Sequence, residues 1–396
     1  MSTYKTRIDR YLSFGVLVCS LLVALGCQSV KNFLTPQAHN EITSIRVQAD
    51  FVKDTLMKPN LGFRKVNRFT PILYKDLIVV GNAQEGLIAY DLFSQSLKWT
   101  IPIQFGAEAS GAVINSRLFV GGLNGIFYSI DLDTAKIIWE FDTNSELVAE
   151  PILHEGFVYF LSGSNILYCL DATNGRQIWV YNRQDTGLQM TIRGGGKPAI
   201  AGDKVYQGFS DGSLVALNIK TGTPQWEVML NRNTKFKDLD ASPVIDGDVI
   251  YINSYDDKLY AVSKSSGTIL WKSKYGGAST PLISGDKLIY TSSKGHLLVV
   301  SKSNGALLWE NNKIKGVATD PILHKGLVVV GESQGSVLFF DLLSGAQKAH
   351  FDPGRGILGR MVSDKNKRIY FISGEANLYG LVVTPSFEKI NFPFIN

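Results

Sequence analysis

Two serines stand in a pattern that could make a nucleophile. Gly208-Phe-Ser210-Asp-Gly212 and Gly331-Glu-Ser333-Gln-Gly335 both fit Gly-x-Ser-x-Gly. That elbow needs a strand before it and a helix after it, so that the turn lifts the hydroxyl clear of the sheet. Strand-like residues follow both motifs instead, and two copies at one repeat position mark equivalent hairpin turns. His154 and His324 likewise share one slot, in Leu-His-Glu-Gly and Leu-His-Lys-Gly. Equivalent positions in distant repeats cannot meet at one metal, so both are expected to be turn residues. Gly194-Gly-Gly-Lys197 lacks the Walker spacing and the Ser/Thr that would follow it. Asp256-Asp257 reads as a solvated turn. Cys169, alone within the strand-like stretch 166–170, reads as a small buried apolar residue. No catalytic constellation, cofactor site or metal-ligand spacing emerges, and the chain is expected not to be an enzyme.

Cys27 carries a different chemistry. Lys5, Arg7 and Arg10 precede an apolar run over 11–25 that ends Val23-Ala24-Leu25-Gly26-Cys27. A basic start followed by an apolar stretch too short to span a bilayer comfortably has the form of a secretory signal. A small residue directly before Cys resembles the lipobox of bacterial lipoproteins, in which the Cys becomes the acylated first residue. Ala24 and Leu25 depart from the usual residues of that pattern. The expected organisation is a signal peptide over 1–26, a lipidated polar tether over 27–42, and a folded domain over 43–396. Gln28 after the Cys implies sorting to the outer membrane. The protein would then face the periplasm as a lipid-anchored species.

The folded part is a repeat. All six Trp (Trp99, Trp139, Trp179, Trp226, Trp271 and Trp309) occupy one slot. Eight residues before each stands Asp, Asn or Ser, and four residues before the last four stands Gly. Twenty-eight residues before each stands Pro, or Gly in the case of Gly111. A seventh copy runs from Pro321 through Asp341 and Gly345, with Ala349 in the Trp slot. Short alternating runs such as Phe157-Val-Tyr-Phe, set between Gly/Asn/Asp/Ser turns, predict strands and hairpins; no sustained helical period appears. Four strands per unit of roughly 40 residues is the signature of a propeller blade. A lone blade cannot cover both of its faces, so neighbours must bury each other. The Trp on each outermost strand is expected to pack on the adjoining blade.

An eighth unit begins near Met361 but lacks a good final strand before the chain turns irregular at Pro385. The strand-like segment 44–52 has no blade of its own. Pairing it into the last blade would close the ring and remove an exposed edge. The expected fold is therefore all-β: one eight-bladed β-propeller of four-stranded antiparallel blades, the last closed by an N-terminal strand. Composition agrees, with 45% hydrophobic residues and 38 Gly over 396 residues. The net charge of +5 is too thinly spread to argue for nucleic acid.

The repeats differ in their connections. From each Trp slot to the next Pro slot the steps are 10 to 12 residues, except Trp179 to Pro198 at 19 and Trp226 to Pro243 at 17. Both long connections flank blade four and lie on one face, which makes them neighbours. One offers Leu188, Met190, Ile192 and Arg193; the other offers Asp238 and Asp240. Apolar anchors beside complementary charges suit a protein-binding hot spot. The same residues also allow Arg193 to pair with Asp238 or Asp240 within the molecule.

Asp171-Ala-Thr-Asn-Gly-Arg-Gln-Ile-Trp179 resembles the pyrroloquinoline-quinone-type propeller repeat. With the lipobox-like end and eight blades, the whole chain resembles the propeller lipoproteins of the complex that inserts β-barrel proteins into the outer membrane. Met190-Thr-Ile-Arg-Gly194 is similar to that family's Leu-x-Leu-Arg-Gly loop, and Asp238-Leu-Asp-Ala-Ser-Pro243 to its Asp-x-Asp-x-x-Pro stretch. The resemblance implies that Met190, Ile192, Arg193, Asp238 and Asp240 contact the periplasmic domains of BamA, the barrel-forming subunit. It implies a non-enzymatic scaffold without a cofactor, with unfolded outer-membrane proteins as further candidate partners. The alternatives are a quinoprotein dehydrogenase, though its adjacent Cys-Cys pair is missing here, and a periplasmic carbohydrate- or cell-wall-binding propeller.

Overall fold

The computed structural model describes residues 42–56, 67–82, 85–183, 195–233, 237–255, 258–365 and 368–387. These residues form eight four-stranded antiparallel sheets, and no helix is found among them. Ser44–Pro385 is one compact unit. Seven sheets are sequential, each laid out inner, second, third and outer strand: 72–102, 112–142, 152–182, 199–229, 244–272, 282–311 and 322–351. The eighth runs Val362–Asp364, Arg368–Ile372 and Asn377–Phe387, with Ile42–Asp54 as its outer strand. The ring is closed as expected. Phe51, only 1% exposed, meets Tyr370 edge-on at 6.0 Å, and Arg368 pairs with Asp50 at 2.8 Å.

Strand burial follows position in the blade. Second and third strands such as Phe157–Leu161 and Ile166–Asp171 are buried along most of their length, because a neighbouring blade covers each face. Outer strands such as Gln177–Asn182 are largely exposed and keep their Trp half-covered or buried. The core therefore lies between blades. One cluster joins Tyr159, Leu167 and Cys169 of blade three to Val205, Val215 and Leu217 of blade four. Cys169 is the small apolar core residue expected; burial raises its thiol pKa to about 12, which keeps it protonated.

The spacing of Asp, Gly and Trp has one physical cause. The Asp-type residue ties down the turn before the outer strand: Asp131 accepts the Thr134 amide and Asp341 the Ser344 amide, both at 2.8 Å. The Gly ends that turn with positive φ, +69° at Gly222. The indole of the preceding blade then lies flat on it; a Cβ at Gly222 would come within 2.6 Å of Trp179. The indole N–H reaches a carbonyl of the same turn, as from Trp179 to Ile219 at 2.9 Å and from Trp226 to Lys264 at 3.1 Å. Blade two has Ala135 where later blades have Gly, and the Trp99 indole that faces it makes no such bond.

One expectation needs correction. The chain does not turn irregular at Pro385; the third strand of blade eight continues through it to Phe387. Its last residue paired with the second strand is Val382. Beyond that point the second strand no longer covers that edge, and a residue without an N–H is tolerated there.

Candidate functional site at the propeller mouth

Connections from outer to inner strands and the hairpin turns between second and third strands share one face, the mouth. Two residue positions just before each inner strand line a cavity of about 310 Å³ at its centre. One tier is Thr70, Ser110, Glu150, Lys197, Ser242, Thr280, Asp320 and Arg360, a single residue from each of the eight blades. The second tier, two residues earlier, is Arg68, Glu108, Val148, Gly195, Asp240, Ala278, Ala318 and Leu358. Only the ring axis can gather one position from every blade, so the cavity is axial.

The first tier is stitched around the ring. The amide of Lys197 donates to Ser242 Oγ at 2.9 Å, that of Ser242 to Thr280 Oγ1 at 3.3 Å, and that of Thr280 to Asp320 Oδ1 at 2.7 Å. Ion pairs bridge adjacent blades: Lys197–Glu150 at 3.1 Å, Arg68–Glu108 at 3.6 Å and Arg360–Asp320 at 3.9 Å. Burial raises the pKa of Asp320 against the pull of the Arg360 charge and the Thr280 amide. Asp240 differs from the other acids of the cavity: among the described residues no ion pair within 4 Å holds it. Its pKa is pushed up to about 8, first by burial and then by the neighbouring Asp238, with Arg68 opposing.

The two long connections touch at their inner ends, as their placement around blade four requires. Gly196 lies against the backbone of Ala241, where a Cβ would come within 2.5 Å of its carbonyl. Gln207 holds the Gly196 carbonyl through Nε2 at 3.1 Å. The second connection is moored by Leu239, 1% exposed, which packs over Gly208 and Ile252. Asp238 just before it is fully buried, and its carbonyl accepts the Tyr255 amide at 3.3 Å. Asp238 and Asp240 are thus close together but unequally placed: the first lies under the connection and the second lines the cavity. Met190, Ile192 and Arg193 lie outside the described residues.

The axial tiers are not among the sequence-based expectations. Their signal was available, since the residue before each Pro slot is polar in all eight repeats. The residues set aside as structural behave so where they are described. Ser210 and Ser333 sit in hairpin turns between second and third strands. Rather than lying in the turn as expected, His154 and His324 end the inner strands of their blades one residue before it. His324 is buried, with Nδ1 2.8 Å from Ser363 Oγ of the next blade, and burial beside Lys325 lowers its pKa to about 4. No group of three potential metal ligands occurs among the described residues. A cavity lined by three ion pairs between adjacent blades and by short hydroxyls does not suit a planar quinone with its metal.

Fold and mouth together define a class: a closed eight-bladed propeller of pyrroloquinoline-quinone-type repeats whose axial cavity is lined by ion pairs between adjacent blades. The sequence model for the outer membrane protein assembly factor BamB matches residues 99–311 and 238–384, and the chain belongs to that family. It is 25% identical over 250 residues to the outer membrane protein assembly factor BamB of Shewanella oneidensis, covering 61% of this chain and 63% of that one. The chain thus aligns with less than two thirds of that relative's length. The crystal structure of BamB from Moraxella catarrhalis superposes with a TM-score of 0.72 at 19% identity, covering 85% of this chain and all of that one. A europium-containing methanol dehydrogenase superposes with a TM-score of 0.66 at 12% identity, covering 85% of this chain and 76% of that enzyme. The architecture is therefore shared between assembly factors and enzymes, and the site must tell them apart.

Proposed function

We propose that this protein is a non-enzymatic scaffold in outer-membrane β-barrel assembly, anchored by acyl chains on Cys27 and docked through its mouth face onto the periplasmic domains of a BamA-type subunit. The observation that carries the reading is the meeting of the two long connections at Gly196, Ala241 and Ser242, beside Asp240. Family membership supplies the context. A rigid ring holding a pair of enlarged loops suits recognition, since loops on a fixed scaffold are where binding residues gather. Met190, Ile192 and Arg193 would supply the apolar and cationic contacts. Asp240 would supply a partner-facing carboxyl, while the buried Asp238 holds the second connection in place.

The test is the affinity of the purified full-length protein for the periplasmic part of BamA. Arg193→Ala should weaken binding by about 30-fold, equivalent to about 2 kcal/mol. Asp240→Ala should weaken it in the same direction. Asp238 is buried, so Asp238→Asn is the informative change, and it should lower stability as well as affinity. Lys272→Ala, at the exposed end of the outer strand of blade five, is the control. Loss of binding in the control with full binding in the Arg193 and Asp240 variants would place the interface elsewhere. Stoichiometric bound quinone with dehydrogenase activity would refute the scaffold reading.

A further inference from the structure

The face opposite the mouth is built from two turns per blade, and the repeat allows eight equivalent positions to be compared. The first turn follows the inner strand and opens with Lys75, Asn115, Glu155, Gly202, Gly247, Gly285, Lys325 and Lys365 in blades one to eight. Lysine occurs only in blades seven, eight and one, whereas blades four to six continue with Asp203, Asp248 and Asp286. The second turn precedes the outer strand, and its amide bonds back to the first, as from Leu92 to Asp76 at 2.8 Å and from Leu342 to Gly326 at 3.3 Å. Six residues before each Trp slot this turn carries Asp133, Thr173, Lys220, Ser265 and Ser303 in blades two to six. Blades one and seven instead carry Phe93, 78% exposed, and Leu343, 55% exposed. Both departures from the repeat fall in three contiguous blades.

Those are also the blades where the N-terminal strand joins the ring. Asp50 pairs with Arg368 at the turn-side start of the second strand of blade eight, whereas the Thr55 amide reaches Ala376 in a mouth-side turn at 3.1 Å. The strand therefore runs towards the mouth, and its residues before Asp50 project past the opposite face. The flanking turns are tied to this point. Gln95, in the Phe93 turn, donates to the Asp50 carbonyl at 3.2 Å, and Lys325 Nζ donates to the Val383 carbonyl at 2.8 Å. Lys75 is neutralised by Asp133 at 2.8 Å, while Lys365 is exposed.

We propose that the turns of blades seven, eight and one form an interfacial surface that rests on the lipid headgroup layer, with Phe93 and Leu343 as apolar anchors and Lys365 facing anionic headgroups. The proposal rests on the anchoring of Cys27. Exposed apolar side chains beside lysines suit the membrane interface, where rings and chains enter the acyl boundary and ammonium groups meet phosphate. Ser44 follows Cys27 by only 17 positions in the sequence, so an acyl anchor on Cys27 would hold this face near the bilayer at high effective concentration. The mouth would then point away from the membrane, open to a periplasmic partner.

The experiment uses the full acylated chain on vesicles of phosphatidylethanolamine and phosphatidylglycerol at about 3:1, doped with a headgroup nitroxide lipid. A fluorophore is placed in three equivalent turns by Ser94→Cys, Ser344→Cys and, as control, Ser266→Cys in blade five. Quenching at 94 and 344 is expected to exceed that at 266 at least threefold, and Phe93→Ser with Leu343→Ser should erase the difference. Vesicle-bound protein with equal quenching at all three positions overturns the docking surface while leaving the anchor intact. Failure to float with vesicles, with no acyl mass on Cys27, overturns the anchor and the docking surface together.

Discussion

Asp240 shows what a single side chain contributes to this site. Its carboxyl, pushed up to about 8, binds a proton in the folded protein that the unfolded chain releases above about pH 4. The folded state therefore loses stability as pH rises from about 4 to about 8, and the loss levels off above that. Asp240→Asn removes the linkage. The variant should match the parent near pH 4 and exceed it at pH 8.5 by at least roughly 2 kcal/mol, a figure discounted for the solvent Asp240 retains. Urea midpoints at the two pH values check this, and a constant difference between them would refute the assignment. Such a group also tunes docking, since a protonated Asp240 donates a hydrogen bond and an ionised one attracts a cation.

At the scale of elements, the Asp-turn-Gly-Trp unit works as a clasp between blades, and its glycine is the most constrained part. Gly222→Ala would drive a Cβ to within 2.6 Å of the Trp179 ring at φ +69°. Gly202→Ala, at φ +59° with nothing within 4 Å, meets only the backbone penalty. The first should cost about 2–4 kcal/mol and the second about 1 kcal/mol. Denaturant melts of the two variants compare steric clash with backbone strain directly; equal costs would mean that the indole gives way. The clasp was readable from spacing because it is local and repeated. Its partners were not: the indole bonds a carbonyl 33 to 40 residues away, as in Trp139 to Ala172 and Trp179 to Ile219.

For the whole molecule, ring closure decides whether seven sequential blades are enough. Phe51 is the packing residue of the closing strand, set between Tyr370 and Gly380. Phe51→Ala should cost about 3–5 kcal/mol, the range for a large core side chain. It should also raise protease sensitivity at the blade-eight edge, which limited proteolysis would read. Unfolding confined to blade eight, with the other blades melting at the parental midpoint, would mean the ring does not act as one cooperative unit.

The sequence by itself determined the blade count, the strand order and the closing strand, because a repeat core of constant length leaves one way to bury both faces of every blade. It also located the two enlarged connections, since insertions in a fixed repeat are visible as arithmetic. Tertiary structure alone decided what those connections meet. Residues such as Glu150 and Lys197, 47 positions apart, face each other only when eight blades converge on an axis, and the proximity that raises Asp240 beside Asp238 depends on how Leu239 moors the loop. The course of the chain through Pro385 is decided in the same way: whether a missing N–H matters depends on which edge of the strand is paired. Local spacing encodes elements, whereas charge environments arise where elements from distant parts of the chain exclude water together.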